Sequence, residues 1–574
     1  MRQVMNTPSL SVDAVLELAR LTGLPVDDAD MAERIAAGAA AAAHAVRVMV
    51  DSTVMPDGQF FGLESADYLS LLESLTPAAR AQATIRDAAA GRASEGDPST
   101  LELCEVAARL ATRELRAIDV LRSALAAAER ANQRTNCFLS IEPRAALAAA
   151  ELADALLDDA AGAGRQPAAR LLGIPLAHKD MFERQGFAAT CGSRVSAGQV
   201  ALRNATVIER MGLEGAVTIG SLHMAEFALG PTGHNAAFGD CRNAWDPAYI
   251  AGGSSSGSAA AVACGAAFGS LGSDTGGSVR IPAAAQGVFG LKPTYGLVPR
   301  TGSMKLTPSI DVIGPMARST RDLAWLLQVI AGGDGRDAQC SMRPLPDYNA
   351  ALGRGVEGMR VGVPRNHFLV GVDPPIRAAW ERTLATFESA GAQVVEVEIP
   401  GAESMAELSR AIVYSEATAL HAQWLRSRGR GYTPQVRVRA TTGLAIPGTL
   451  YLEALQLRLS LLEHVVRGVF GRCDVLLTPT VPLRLPRRDE TDVGAGPELW
   501  RILERLVQCT APVNYLGLPA LSMPAGMDDR GLPIGMQLVA APFAESTLLQ
   551  AAAVHERIRP FAPYCQFSRG QQKA

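Results

Sequence analysis

Two polar residues could carry the groups that acyl transfer needs: Ser278 in "SDTGGSVR" (273–280) and Lys179 in "GIPLAHKD" (173–180). A second Gly/Ser-rich stretch, "AGGSSSGSAA" (251–260), leads into an alanine run. Ser278 follows two glycines and precedes "VRIPAAAQG", which can form a helix. It therefore sits beside the free backbone N–H groups of a helix N-terminus. The glycines let a substrate carbonyl approach the chain. The N–H groups of Thr275, Gly276, Gly277 and Ser278 could then stabilise an oxyanion. A serine hydroxyl also needs a base. Lys179 follows the buried-looking "GIPLA", and an amine taken out of water loses enough basicity to be neutral and accept a proton. Plainer explanations stand beside these: Ser278 as a helix cap and Lys179 as a solvated lysine. Histidine is the competing base. His178 adjoins Lys179, and His223 and His234 flank "HMAEFALGPTGH". Residues 253–257 also fit Gly-x-Ser-x-Gly, although no apolar strand directly precedes them as a nucleophile elbow requires.

These residues must be positioned by alternating helices and strands. "LLGIPLAHKDMF" (171–182), "GAVTIGSL" (215–222) and "CDVLLTPTV" (473–481) read as buried strands. Residues 519–540 read as a hairpin turning at Asp529, Arg530 and Gly531. The class is α/β. Ser99 and Glu102 fit a capping box that opens a helical region through about Arg130. Residues 1–90 read as three helices. Ser11 caps the first and Gly23 closes it, Asp30 caps an alanine-rich second through about Val50, and the third spans about Glu64 to Leu75. They hold no acid, base or ligand cluster, which suits a packing or oligomerisation module. Residues 91–98 read as a linker and 568–574 as a loose tail.

The 574 residues are 48% hydrophobic and 20% charged, enough to bury a large core. A net charge of -4 supplies no general basic field for nucleic acid. No apolar run reaches the ~18–20 residues of a membrane span, and the N-terminus lacks the apolar centre of a signal peptide. Nine scattered cysteines without Cys-x-x-Cys argue for a reducing compartment and against structural zinc. No His-x-x-x-His or carboxylate cluster offers metal-ligand spacing. A cytoplasmic protein with no metal and no cofactor is expected, with no membrane or nucleic-acid partner.

Taken in order, "GIPLAHKD", "AGGSSSGSAAAVACG", "GSDTGGSVRIPAA" and "GLKPTYGLVPR" resemble the amidase signature family, and the similarity runs from about Ser99 to Phe567. The resemblance implies a central mixed, twisted sheet covered by helices on both faces, with residues 1–90 as an all-helical N-terminal extension. It implies a serine hydrolase in which Ser278 is the nucleophile, Ser254 relays the proton and Lys179 is the base. It places a cis peptide bond between Gly253 and Ser254, with Ser255 supporting the hydrogen-bond network. Asp274 and Arg280 would either brace the second motif or form a surface pair. His223, Phe227 and Tyr515 are the substrate-contact candidates. Two positions depart from the family pattern: Ser256 stands where Gly is commonest, and His223 leads a segment usually led by Asn. The arginines of 427–448 and 482–500 suit either an anionic substrate or solvated loops. The implied activity is hydrolysis of a linear carboxamide, with carbamate, urea-type bond and ester also open. The expected partners are a small-molecule amide or carbamate and a second copy of the chain, giving a homodimer. The alternatives are a glutamine-hydrolysing subunit of a tRNA-dependent amidotransferase and a non-catalytic binding protein on the same fold.

Overall fold

Eleven strands join in one mixed sheet: β1 (Phe138–Ile141), β2 (Pro175–Lys179), β3 (Val217–Leu222), β4 (Gly269–Asp274), β5 (Phe289–Lys292), β6 (Val312–Ala317), β7 (Arg360–Pro364), β8 (Gln393–Val397), β9 (Val475–Pro479), β10 (Ala520–Met527) and β11 (Pro533–Val539). The computed structural model describes residues 10–52, 65–76 and 97–561, except 197, 495 and 497. Most of the expected linker and the whole expected tail lie outside the described residues. The strand order is β1-β3-β2-β4-β6-β5-β10-β11-β9-β7-β8. β2 pairs in parallel with both β3 and β4, and β7 with β8 and β9. The remaining neighbours are antiparallel, including the β10–β11 hairpin. β2 and β9 are buried throughout and β3 at all but one position, which explains why these strands read as largely apolar runs rather than as alternating patterns. Helices flank the sheet, so the architecture is the α/β one expected.

The alanine run after the first Gly-Ser stretch forms the helix Ser256–Ala263, with all eight residues buried. Side chains this small let a helix lie close against the sheet. The stretch after Ser278 forms the helix Arg280–Gln286, closed by Gly287 at φ 70°.

Two caps differ from the sequence reading. The second N-terminal helix, Ala29–Ser52, is headed by Asp28, whose carboxylate accepts the Met31 N–H at 2.8 Å. Asp30 lies already inside the first turn. No capping box forms at Ser99 and Glu102. The helix Leu103–Ala111 instead gives its Leu103 and Cys104 N–H groups to Asp322, at 3.0 and 2.9 Å, and a second helix, Ala117–Thr135, follows. A carboxylate 219 residues away in sequence thus replaces the local cap. The first helix, Val12–Thr22, matches the reading: Ser11 Oγ accepts from Ala14 N, and Gly23 takes φ 66°. Val15, Ile35 and Val46 of the N-terminal helices share one continuous core with Ile412 and Leu461.

Candidate active site

Lys179 is the last residue of β2, and β2 lies beside and parallel to β4, with Ala177 opposite Ser270 and His178 opposite Leu271. The chain leaves β4 at Asp274 and enters the Thr275–Ser278 turn. Both groups therefore gather at the carboxyl ends of adjacent parallel strands, where open α/β sheets form ligand crevices. Lys179 is 1% exposed, and its Nζ hydrogen-bonds to Ser254 Oγ at 2.7 Å and Ser273 Oγ at 2.9 Å. Burial pushes its pKa down to about 7, against the pull of the Asp311 and Asp274 carboxylates. Ser273 escaped the sequence reading. The available signal was its place in β4, one residue before Asp274 on the strand flanking the lysine.

The Gly253–Ser254 peptide bond is cis, as the resemblance implied. Gly253 donates its N–H to Pro231 O at 2.7 Å. A Cβ at this position would meet Gly230 O at 2.6 Å and Gly233 N at 2.9 Å, so the turn admits only glycine. Ser255 N donates to Ser278 O at 3.2 Å, which ties the two Gly-Ser segments together. Ser255 Oγ donates to Ser273 O at 3.2 Å.

Asp274 and Arg280 form a wholly buried pair, not a surface one, with Arg280 Nη2 3.0 Å from Asp274 Oδ1 and Nε 3.1 Å from Oδ2. Arg280 also donates to Gln537 Oε1, Thr510 O and Asn514 Oδ1. Burial opposes ionisation of Asp274, but the Arg280 guanidinium overcomes it and holds the carboxyl at about 2. The same carboxylate accepts the N–H groups of Gly277 (2.9 Å) and Val279 (3.1 Å). This corrects the oxyanion expectation: the Gly277 N–H is turned away from the pocket. Gly277 takes φ 125°, and this conformation points its amide at Asp274. Among the described residues, the N–H groups of Thr275, Gly276 and Ser278 donate to no protein acceptor. The Thr275 hydroxyl donates to Asp311 Oδ1 at 2.6 Å.

Ser278 opens into a pocket lined chiefly by apolar groups, among them Leu229, Ile281, Leu306, Val413 and Leu503, together with Tyr414, Arg410 and Arg439. Arg439 is 8% exposed and its Nη1 has no hydrogen-bond partner. The expected substrate contacts lie elsewhere. His223 is buried, with Nε2 2.6 Å from Gly239 O. Phe227 is enclosed by His421, Trp424 and Tyr432. Tyr515 is buried and donates its hydroxyl to Ala454 O at 2.7 Å. None of the three lines the pocket. Ala228 and Ala511, in the segments of Phe227 and Tyr515, do line it, so those segments were legible but the side chains point into the core. The arginines divide in the same way: Arg439 faces the pocket, whereas Arg437 pairs with Asp27 at 2.8 Å and Arg488 with Asp240 at 3.0 Å.

Histidine offers no base here. His178 Nδ1 accepts from Leu271 N at 3.3 Å, and burial pushes its pKa down to about 3. His234 is held between Asp240 and Thr491, each at 2.9 Å. Among the described residues no histidine hydrogen-bonds to Ser254 or Ser278, and no group of His, Cys, Asp and Glu side chains could hold a metal ion. No helix among them is long and apolar enough to cross a membrane.

Comparison with known proteins gives a consistent result. A family model described as Amidase matches residues 119–549. The A-type subunit of the glutamyl-tRNA(Gln) amidotransferase of Chloroflexus aggregans is 38% identical over 472 residues, 78% of this chain and 94% of that protein. The crystal structure of the corresponding amidotransferase polypeptide from Thermotoga maritima has a TM-score of 0.67 at 30% identity, covering 81% of this chain and 96% of its own. A chain from a vestigial protein complex, described as revealing the evolutionary origins of an s-triazine catabolic enzyme, has a TM-score of 0.74 at 33% identity and covers 80% of this chain and 99% of its own. These relatives overturn one expectation. Several are by name subunits of an enzyme acting on a glutamyl group carried by transfer RNA. The picture of a small amide or carbamate as sole substrate, with no nucleic acid and only a second copy of the chain as partner, does not stand. Net charge failed as a guide because it describes the chain average and says nothing of what an assembly binds. The lysine at the end of β2 hydrogen-bonded to the serine of the Gly-Ser turn, the buried Asp274–Arg280 brace and the match over three quarters of the sequence agree: the chain belongs to the amidase signature family.

Proposed function

We propose that this chain hydrolyses the side-chain amide of glutamine, supplying ammonia for the amidation of a glutamyl group carried on transfer RNA. In this reading Ser278 Oγ attacks the amide carbon while its proton passes to Ser254 and the Ser254 proton passes to neutral Lys179. Negative charge on the carbonyl oxygen is met by the N–H groups of Thr275, Gly276 and Ser278. The proton returns along the same path to the leaving nitrogen, and ammonia departs. Water, deprotonated by the same base, then cleaves the acyl-serine to give glutamate. The observation that carries the reading is the buried 2.7 Å contact between Lys179 Nζ and Ser254 Oγ, with the amine held near neutrality at about 7. The relatives' names supply the substrate, and the unpartnered Arg439 Nη1 beside Ser278 suits a carboxylate such as glutamine carries. Amidation of the tRNA-borne group falls to partner polypeptides. The helices within residues 10–52 and 65–76 serve as a packing module, and the nine scattered cysteines without Cys-x-x-Cys suit the cytoplasm.

A second reading, a stand-alone hydrolase of other linear amides or carbamates, draws on the largely apolar pocket lining. Incubating the purified chain with glutamine and with a panel of linear amides and carbamates separates the two. Glutamate and ammonia from glutamine are expected. Turnover of another amide with glutamine left untouched would move the assignment to the second reading.

A further inference from the structure

The N-terminal helices lie outside the segment matched by the family model, yet they pack behind the substrate pocket through a continuous chain of contacts. Gly38, in the helix Ala29–Ser52, touches the indole of Trp500. A Cβ on Gly38 would fall 2.4 Å from Trp500 Cζ2. Trp500 Nε1 donates to Arg34 O on the same helix at 3.2 Å. The indole also meets the Tyr414 ring edge-on, with centroids 5.4 Å apart, and lies 5.7 Å from the Arg410 guanidinium. Tyr414 and Arg410 line the pocket beside Ser278, and Tyr414 OH accepts from Arg439 Nε at 3.4 Å. Further ties hold the same wall: Arg437 to Asp27 at 2.8 Å and Arg426 Nε to Thr22 O at 2.8 Å.

We propose that the N-terminal helices set the shape of the substrate pocket, with Gly38 and Trp500 as positioning residues that fix Tyr414 and Arg410 at its far wall. The claim rests on Ser278 and its pocket being the substrate site. A packed interior transmits displacement because it has no slack to absorb it. Trp500 is 9% exposed and packed between Gly38 and Tyr414, the latter in the helix Ala402–Arg428, so movement at Gly38 is relayed to Tyr414. The Lys179–Ser254 cluster hangs from β2 and the Gly-Ser turn and does not touch this path. The relay therefore governs what fits beside Ser278, not the reactivity of the serine.

The test uses the full chain with Gly38→Ala, Trp500→Phe and the double variant. Labelling of Ser278 is timed with a small ethyl fluorophosphonate and a bulky biphenyl one, and hydrogen exchange is followed across 402–428. Gly38→Ala is expected to slow the bulky probe at least 5-fold and the small one less than 2-fold, with faster exchange around 410–414. Trp500→Phe frees the space the new methyl needs, so the double variant should recover the bulky-probe rate to within 2-fold. Unchanged probe selectivity and exchange in folded Gly38→Ala would overturn the proposal. So would equal slowing of both probes, or no recovery in the double variant. Should neither probe label Ser278 in the unmodified chain, the hydrolase reading fails on its own account, and the exchange and its recovery in the double variant still decide whether Gly38 governs the wall.

Discussion

Replacing Lys179 by methionine should abolish activity and stabilise the protein. The amine ordinarily titrates at 10.5, and burial brings it to about 7. At about 1.36 kcal/mol per pH unit, that gap is a burial cost of roughly 5 kcal/mol. The native pKa lies below the unfolded one. Between about pH 7 and 10.5 the unfolded chain therefore binds a proton that the native chain does not, and stability rises with pH across that window. Methionine removes this cost, keeps similar volume, and forfeits two hydrogen bonds, to Ser254 and Ser273, worth about 1 kcal/mol each. The variant should be more stable at pH 7 by about 2–3 kcal/mol. The advantage should shrink by about 2 kcal/mol at about pH 9, where less of the cost remains. Turnover should fall by ~10³-fold or more, since a positioned base contributes ~10²–10⁴. Urea unfolding at both pH values, beside an amide-hydrolysis assay, measures all three quantities. A variant destabilised equally at both would refute the buried neutral amine, and retained turnover would refute its role as base.

In the unmodified chain kcat/KM should fall about tenfold per pH unit below about pH 7 as Lys179 protonates; a flat profile from about pH 5 to 7 would exclude this base. Ser273→Ala removes one of the two hydroxyls holding Lys179 Nζ and should lower kcat about 5- to 10-fold at unchanged KM. Asp274→Asn leaves the fully buried Arg280 uncompensated and should destabilise by about 3–5 kcal/mol in denaturant titration, with Arg280→Lys similarly severe because lysine cannot reproduce the two-pronged contact. His178→Ala should keep kcat within a few-fold, whereas Lys179→Arg should be inactive; the reverse pattern would restore a histidine mechanism.

Much of the catalytic region was legible in the sequence because its chemistry is local. Gly-Gly-Ser before an alanine-rich stretch specifies a tight turn feeding a helix, and both such turns exist as read. The buried strands were legible for the same reason: unbroken apolar runs bounded by polar loops. Caps were less so. Ser11 and Gly23 behaved as local rules require, but the helix at Leu103 took its cap from Asp322, which no window of neighbouring residues contains. The expected substrate contacts failed differently. Phe227 and Tyr515 lie in the right segments, but which way a side chain faces depends on what packs against it, and distant helices closed over both.

The sequence by itself determined the order and backbone chemistry of the Lys179, Ser254 and Ser278 segments, since turn geometry and hydrophobic period act over a few residues. Only the tertiary structure decided that Lys179 is buried and paired with Ser254 and Ser273, that Asp274 claims the Gly277 amide, and that the N-terminal helices stand behind the pocket. Protonation, donor availability and pocket shape are set through space, by desolvation and contact with groups far away along the chain.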